Sequence, residues 1–273
     1  MQEAKIIIHQ DNICLSTLED LLNPSKKDIL GYVVRNYIDH NSCSELCNSF
    51  TAIIEETGGS RQDGFVPVHQ IGSTQFMKTS IEYMDECIAT KMYVDSLINN
   101  LENQSLKTDF LLEKTLKSHF AQKNIVFRPS QFNENSCNHF TARNWRNQTA
   151  GLTLLPHEDF SQLSVAEEDG FEIGSVKKVV ACNLCITQPG GELILWNLEP
   201  DMDMKKRFNV EKTGYPYPIE ILENIQKYTI ELNAGDLFFI NANCIHAVSS
   251  SHYRITLGRF MGYSSTNEIV YWT

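Results

Sequence analysis

The sequence lacks the features that are typical of membrane, secreted and nucleic-acid-binding proteins. No apolar run approaches the roughly 18 residues that a membrane-spanning helix needs. The N-terminal stretch MQEAKIIIHQDN has an acidic residue at position 3 and a short apolar run, so we expect no secretory signal peptide. Lys and Arg number 23 against 34 Asp and Glu, and the net charge of −11 argues against nucleic acid or an anionic membrane as a partner. A chain of 273 residues that is 42% hydrophobic can bury a sizeable core, and we expect a cytoplasmic protein.

The eight cysteines do not form a pattern typical of a zinc or redox site. Cys43 and Cys47 are spaced to share one helix face, whereas Cys182 and Cys185 lie in VVACNLCIT, which is typical of a strand. Residues three apart on a strand point to opposite faces, so that pair is unsuited to one shared zinc ion. We therefore expect buried free thiols in a reducing compartment.

The hydrophobic period changes near residue 149. In residues 1–148, segments such as CSELCNSFTAIIEE and KTDFLLEKTLKSHFAQ place apolar residues three and four apart, which predicts helices. The polar, glycine-containing stretch TGGSRQDGFVPVHQIGS (57–73) predicts a long loop. In residues 149–273, short β-prone runs such as AGLTLLPHE and GELILWNL are separated by PGG, NAGD and SSSH turns. This order predicts an α+β fold in a single domain, 1–273, with a mainly helical front packed against a jelly-roll or barrel core.

His157 and Asp159, in LPHEDFSQL, are two residues apart at the end of a predicted strand. Alone the spacing is weak, because this composition gives roughly 0.4 such His-x-Asp pairs by chance. The stretch IIIHQDN carries a second pair, His9 and Asp11, which runs into a turn signal far from the β-rich half. We expect that second pair to be structural, and a hydrogen-bonded polar pair remains the alternative for the first.

Further residues at suitable spacing make His157 and Asp159 a candidate metal site. On a strand the two side chains face the same side, and His246 in FFINANCIHAV is a candidate third ligand. Two imidazoles and one carboxylate on one face are the arrangement that non-haem Fe(II) oxygenases use. Arg254 opens the predicted strand RITLGRFMGY, where its guanidinium can pair with a carboxylate, and Thr256 shares its face.

This set of residues on a predicted jelly roll resembles the iron(II)- and 2-oxoglutarate-dependent oxygenases. The segment QPGGELILWNLEP (188–200) is similar to a GGEL hairpin that is common in that superfamily. The chain as a whole is similar to a branch of hydroxylases and halogenases that act on small free-standing molecules, including free amino acids and indole alkaloids. The resemblance implies a double-stranded β-helix core, of the jelly-roll or cupin type, in residues 149–273.

The resemblance also implies roles for individual residues. His157, Asp159 and His246 would bind Fe(II), Arg254 would pair with the distal carboxylate of 2-oxoglutarate, and Thr256 would assist it. O2 would be the second co-substrate. The halogenases of this branch carry Gly or Ala in place of the carboxylate ligand, which leaves a coordination position for halide. Because this chain has Asp159 there, the resemblance favours hydroxylation.

The predicted function is hydroxylation of an unactivated C–H bond of a small molecule, a free amino acid or a natural-product intermediate, with release of succinate and CO2. The same scaffold could instead catalyse desaturation, cyclisation or epoxidation, and a third hypothesis is a non-catalytic cupin-like metal-binding protein. The sequence leaves the substrate and the oligomeric state open. A lid over the site would come from residues 57–73 or 198–218. Candidate substrate residues are Trp196, Tyr217, Arg61 and Gln75, although strand aromatics commonly serve packing.

Overall fold

Helices occupy much of the front of the chain, where the apolar spacing predicts them. The computed structural model describes residues 4–10, 12–59, 68–145, 151–187, 191–249 and 254–273. Its helices are α1 (Leu15–Leu22), α2 (His40–Thr57), α3 (Ser80–Asn99), α4 (Gln104–Thr108), α5 (Glu113–Ala121), α6 (Leu163–Glu168) and α7 (Met202–Phe208). Short 3-10 turns span Phe110–Leu112, Glu172–Ser175 and Ile219–Leu222. No helix in the described ranges is long and apolar enough to cross a membrane.

The two longest helices begin and end at residues whose chemistry suits those positions. The Asp39 side chain caps α2 by accepting a hydrogen bond from the Ser42 amide at 2.8 Å, and Gly58 ends the helix at a φ of 75°. Thr79 and Glu82 form a reciprocal capping box at the start of α3. At the start of each helix, a capping side chain accepts a hydrogen bond from a backbone amide that has no partner within the helix. The first residues of both helices are therefore determined by the local sequence.

The strands lie in both halves of the chain. They are β1 (Lys5–Gln10), β2 (Ile29–Arg35), β3 (Val68–Ile71), β4 (Val126–Pro129), β5 (Gln131–Phe132), β6 (Asn135–Ser136), β7 (Thr141–Trp145), β8 (Leu152–His157), β9 (Val180–Cys185), β10 (Glu192–Trp196), β11 (Lys227–Glu231), β12 (Leu237–Asn241), β13 (His246–Ser249), β14 (Arg254–Ser265) and β15 (Glu268–Trp272). The mixed helix-and-sheet class predicted from the sequence is confirmed.

A nine-stranded sheet runs in the order β1-β2-β12-β9-β14-β15-β4, with β7 and then β3 added beside the first half of β14. Strands β1, β2, β3, β4 and β7 of this sheet come from residues 1–148, so the front half contributes more strand than its helical texture predicts. The reason is visible in β2, ILGYVVR, which is buried on both faces and therefore shows no alternation of apolar and polar residues. One core cluster joins the helices to this sheet, for example Leu46 and Phe50 of α2 with Tyr32 and Phe239.

A second sheet has four antiparallel strands in the order β11-β10-β13-β8. A cavity lies between the two sheets, because Leu154, Leu193 and Val248 of the smaller sheet line it together with Phe238 and Ile240 of the larger. Cys182 and Cys185 lie on β9, as predicted, and all eight cysteines are free. The fold therefore provides a cavity whose walls come from both sheets.

Candidate functional site

The three candidate metal ligands meet at one end of the smaller sheet. His157 is the last residue of β8 and His246 the first of β13, and the antiparallel register pairs them directly. Asp159 follows β8, where its amide donates to the Ala242 carbonyl at 2.8 Å. Its carboxylate lies 3.3 Å from His246 Nε2 and 4.0 Å from His157 Nε2. The ligand atoms of all three residues lie within 4.8 Å of one another, and the described residues contain no other such group.

Each imidazole is held with Nε2 available for a metal. His157 Nδ1 donates to the Leu155 carbonyl at 2.8 Å, and His246 Nδ1 donates to the Cys244 carbonyl at 3.0 Å. A carbonyl oxygen only accepts hydrogen bonds, so Nδ1 carries the proton in both rings. The neutral ring then presents a bare Nε2, which is the tautomer that metal ligation requires.

Burial and the short distances between these side chains shift their pKa values. Burial lowers the pKa of His157 to about 4, so its ring is neutral near pH 7. For Asp159, burial would raise the pKa, but the hydrogen bond and charge of His246, followed by the charges of His157 and Arg143, lower it. The pKa of His246 is raised although burial acts against it, because the Asp159 carboxylate stabilises the charged ring. Two nitrogen donors and one carboxylate suit Fe(II), so the residues present fit the ion that the sequence implies.

Two polar residues beside the candidate ligands, Gln162 and Glu158, were not predicted from the sequence. The Gln162 amide donates to Asp159 Oδ1 at 2.8 Å. Glu158, between the two candidate ligands, is fully buried, and its carboxylate accepts hydrogen bonds from the amide and the hydroxyl of Ser161. Both residues lie within HEDFSQ, so their nearness in sequence to the His-x-Asp pair was the available signal.

Glu158 is also paired with a residue far away in sequence. Lys205 of α7 places Nζ 3.2 Å from the Glu158 carboxylate, and both side chains are at most 8% exposed. The backbone of the same long connection (residues 197–226, between β10 and β11) lies alongside β8. The Glu158 amide donates to the Gly214 carbonyl at 3.0 Å, and the Tyr217 amide donates to the Pro156 carbonyl at 2.8 Å. The connection is therefore attached on both sides of His157.

Arg254 and Thr256 lie at the start of β14 and line the same cavity as the three candidate ligands. The Arg254 side chain is buried, 6.0 Å over the Phe238 ring, and burial lowers the pKa of its guanidinium. Its Nε and Nη1 atoms find no hydrogen-bond partner among the described residues. A buried guanidinium with open donors is costly unless an anion binds it, so this position fits a carboxylate ligand.

The cavity wall contains residues that the sequence reading did not single out. Arg143 on β7 lies opposite Thr256 in the register of β7 and β14. Tyr215, in the long connection, packs edge-on against His157 with ring centroids 6.0 Å apart and against Phe76 at 6.4 Å. Apolar side chains from both sheets complete the lining of the cavity, namely Leu154, Leu193, Phe238, Ile240 and Val248. The cavity thus joins the metal-ligand group, three arginines (Arg143, Arg254 and Arg259) and an apolar surface.

The candidate substrate residues have different positions. Trp196 and Tyr217 lie in a separate apolar cluster with Val210 and Ile245 and are not among the side chains that line the cavity in the described chain. This position agrees with the packing interpretation, and a substrate role for the two aromatics stays a prediction. Gln75 is buried beside the cavity, where its amide nitrogen donates to the Gln162 carbonyl at 3.0 Å. Arg61 lies outside the described residues, as do residues 60–67 of the predicted loop 57–73.

The second His-x-Asp pair does not resemble a site. His9 lies on β1, where its ring packs edge-on against Tyr32 with centroids 5.4 Å apart. Asp11 lies outside the described residues. Arg259, on β14, donates to the Leu111 carbonyl at 2.8 Å and stacks 4.2 Å over the Tyr271 ring, and these contacts indicate a structural role.

Comparison with known proteins gives independent findings. A family model described as the carrier-protein-independent halogenase WelO5 matches residues 175–273. L-isoleucine 3(1)-dioxygenase of Pantoea ananatis (strain AJ13355) is 38% identical over 258 residues, covering 93% of this chain and 86% of that protein. Among solved structures, an N-substituted L-amino acid dioxygenase from Burkholderia ambifaria AMMD, in complex with alpha-KG, has a TM-score of 0.46 at 12% identity, covering 86% of this chain and 91% of that one. The epimerase SnoN, in complex with Fe3+ and alpha ketoglutarate, has a TM-score of 0.45 at 15% identity, covering 91% and 85%.

Removing a candidate ligand tests the metal site directly. We expect His157→Ala or His246→Ala to weaken Fe(II) binding by about 100-fold or more, since each removes one of three ligands. His9→Ala is the matched control, because it removes the histidine of the second pair, and its affinity should stay within a few-fold of wild type. Anaerobic isothermal titration with Fe(II) measures all three variants. Equal losses in the three would refute the assignment.

A second experiment tests the attachment of the long connection. Lys205→Met leaves the Glu158 carboxylate buried without its cation, which should cost about 3–5 kcal/mol in the free energy of unfolding. Lys212→Met is the matched control, because Lys212 pairs with Glu168 at an exposed position of the same connection and should cost less than about 1 kcal/mol. Urea denaturation followed by circular dichroism measures both. Similar losses in the free energy of unfolding for the two variants would show that the buried Lys205–Glu158 pair does not stabilise the attachment of the connection.

Proposed function

We propose that this chain, which belongs to the iron(II)- and 2-oxoglutarate-dependent oxygenases, hydroxylates an unactivated C–H bond of a free aliphatic amino acid. The observation that carries the proposal is one buried cavity that combines a His-Asp-His group with a guanidinium whose donors are open. The 38% identical relative is named for a reaction on L-isoleucine, which supports an amino acid of that kind as substrate.

Two groups of cavity residues would have different roles, one in binding the metal and one in binding the co-substrate. His157, Asp159 and His246 would hold Fe(II), and Arg254 with Thr256 would hold the distal carboxylate of 2-oxoglutarate. When bound, the iron with 2-oxoglutarate and O2 supplies the oxidation, in which one oxygen atom enters the C–H bond, the other enters succinate, and CO2 leaves. The protein fixes the ligands through the two carbonyl-bound Nδ1 atoms and through Gln162, and its apolar wall excludes water from the reacting carbon.

The finer points of fold and setting are proposals as well. We infer that the two facing sheets form a double-stranded β-helix, since the cavity is walled by both and the candidate ligands lie at one end of it. One core cluster contains residues from Leu18 to Tyr271, which supports a single domain over 1–273. Eight free cysteines support a reducing, cytoplasmic setting, and a small molecule is the expected partner.

Other outcomes on the same scaffold are separated by the product. Desaturation, cyclisation and epoxidation need the same ligands, whereas a non-catalytic metal-binding protein releases no succinate. We would incubate the protein with Fe(II), 2-oxoglutarate, O2 and L-isoleucine, and then a panel of aliphatic amino acids. A succinate yield matched by a product 16 mass units heavier supports hydroxylation, because one oxygen atom is gained. A product lighter by two hydrogens identifies desaturation instead, and the absence of substrate-dependent succinate across the panel contradicts the proposal.

Replacing Arg254 tests the assignment of the co-substrate end. Arg254→Gln removes a desolvated partner of a carboxylate, which should cost about 2–5 kcal/mol in binding. The KM for 2-oxoglutarate should therefore rise by about 30-fold or far more, since each ~1.4 kcal/mol is tenfold. Iron affinity should remain near that of wild type, because Arg254 is not a candidate ligand. An unchanged KM for 2-oxoglutarate would assign its carboxylate to another cation.

Replacing Asp159 tests the choice between oxygen and halide. The carboxylate fills the position that the related halogenases leave open, so wild-type protein should give only oxidised, chlorine-free product even in high chloride. Asp159→Gly should bind Fe(II) more weakly and show at most traces of chlorinated product, because the surroundings that steer a halide are missing. Product mass and the chlorine isotope pattern measure both proteins. Chlorinated product from wild type would contradict Asp159 as an iron ligand.

A further inference from the structure

The cavity contains a second arginine whose position suits a second carboxylate. Arg143 lies on β7, directly opposite Thr256 of β14, and both side chains line the cavity. Its neighbour Ala142 is fully buried in the core cluster on the other face of the sheet, as the alternation of a strand requires.

A fixed amide holds this guanidinium in place. Arg143 Nε donates to Gln70 Oε1 at 3.0 Å. Gln70 is fully buried, and its Nε2 donates to the Gly72 carbonyl at 3.1 Å, so its amide has one orientation with the oxygen toward Arg143. Gln70 also lies opposite Arg143 in the register of β3 and β7. An arginine braced at Nε keeps its terminal nitrogens in a fixed plane, which is the geometry that recognises a carboxylate.

We propose that Arg143 binds the carboxylate of the substrate, so that the cavity takes small molecules with a free carboxylate near an aliphatic chain. This inference rests on the proposed function. Two carboxylate-bearing molecules occupy such an oxygenase together when its substrate is an amino acid. Three arginines line this cavity, and one of them, Arg259, donates to the Leu111 carbonyl and stacks on the Tyr271 ring. Arg143 and Arg254, on neighbouring strands, are therefore the candidates for the two carboxylates. Arg254 is the more deeply buried of the two, with open donors, and is assigned to 2-oxoglutarate. The braced and half-buried Arg143 then remains for the substrate.

The same geometry limits which carbon is oxidised. Arg143 extends from the larger sheet, whereas His157 and His246 belong to the smaller one, and facing sheets lie about 10 Å apart. A substrate held by its carboxylate on one sheet reaches the metal on the other with its side chain. Leu154, Leu193 and Val248 provide the apolar surface along the smaller sheet. We therefore expect hydroxylation at a side-chain carbon beyond Cα.

The test compares an acid with its amide in wild type and Arg143→Gln. L-isoleucine and L-isoleucinamide share a side chain and an amine, so they differ only at the carboxylate. Wild type should prefer the acid by about 100-fold in kcat/KM, and Arg143→Gln should reduce that preference to less than about 5-fold, as expected when a desolvated charge partner is lost. The KM for L-isoleucine should rise by a similar factor while the KM for 2-oxoglutarate stays within about 3-fold. Arg143→Lys, which keeps the charge, should recover part of the loss.

A binding measurement and a matched control separate this role from a structural one. Anaerobic titration of L-isoleucine into protein loaded with Co(II) and 2-oxoglutarate should show the same loss of affinity for Arg143→Gln without turnover. Arg207→Gln changes an exposed arginine on α7 and should leave both measurements unchanged. If wild type hydroxylates L-isoleucine and Arg143→Gln keeps its KM, the inference fails and the proposed function stands.

The remaining outcome is a wild type that does not accept L-isoleucine. Aliphatic carboxylic acids and their amides are then compared for their stimulation of succinate release in wild type and Arg143→Gln. Acids that stimulate wild type and lose this effect in the variant support the inference with another substrate. Equal stimulation by acids and amides, or hydroxylation at Cα, overturns it. Failure of every compound in wild type contradicts the proposed function, and an unchanged affinity of Arg143→Gln for the acids in the Co(II) titration contradicts the inference.

Discussion

The antiparallel register between β8 and β13 places His157 directly opposite His246, and the rest of the site depends on that pairing. Side chains alternate along a strand, so a slip of one residue would turn one imidazole to the other face of the sheet. The amide of Asp159, held on the Ala242 carbonyl, fixes where the chain turns after β8. These backbone hydrogen bonds bring two nitrogens and a carboxylate to one end of the smaller sheet.

Because the polar groups of the site are buried, each of them needs a hydrogen-bond or charge partner within the protein or a ligand. Each histidine places its Nδ1 proton on a backbone carbonyl, and Gln162 donates to Asp159. Glu158 would be an unpaired buried charge next to Asp159, but Lys205 neutralises it and attaches the long connection to the end of β8. Arg254 differs, because its open donors lack partners in the described chain. The protein satisfies its structural charges internally and leaves a cation for a ligand.

Local patterns in the sequence predict only part of this arrangement. Period-two alternation and short spacing were enough to propose His157, Asp159, His246 and Arg254. Alternate residues of a strand share a face, and Asp159 lies two residues beyond the end of β8. The pairing of Glu158 with Lys205 depends on the path of the long connection, and the alignment of Arg143 with Thr256 depends on which strands are neighbours. Neither is encoded within one segment, so no spacing rule could reveal them.

The likeness to halogenases concerns only part of the site. The family model matches residues 175–273, a range that includes His246, Arg254 and Thr256. His157, Asp159 and Arg143 lie before it, so that match carries no information on the carboxylate ligand or on the second arginine. The resemblance described above implies that hydroxylases and halogenases share both histidines and the cation that binds the co-substrate, and that they differ at the position of Asp159. On the proposed assignments, the residues that select the reaction and the substrate are Asp159 and Arg143, and both precede the matched segment.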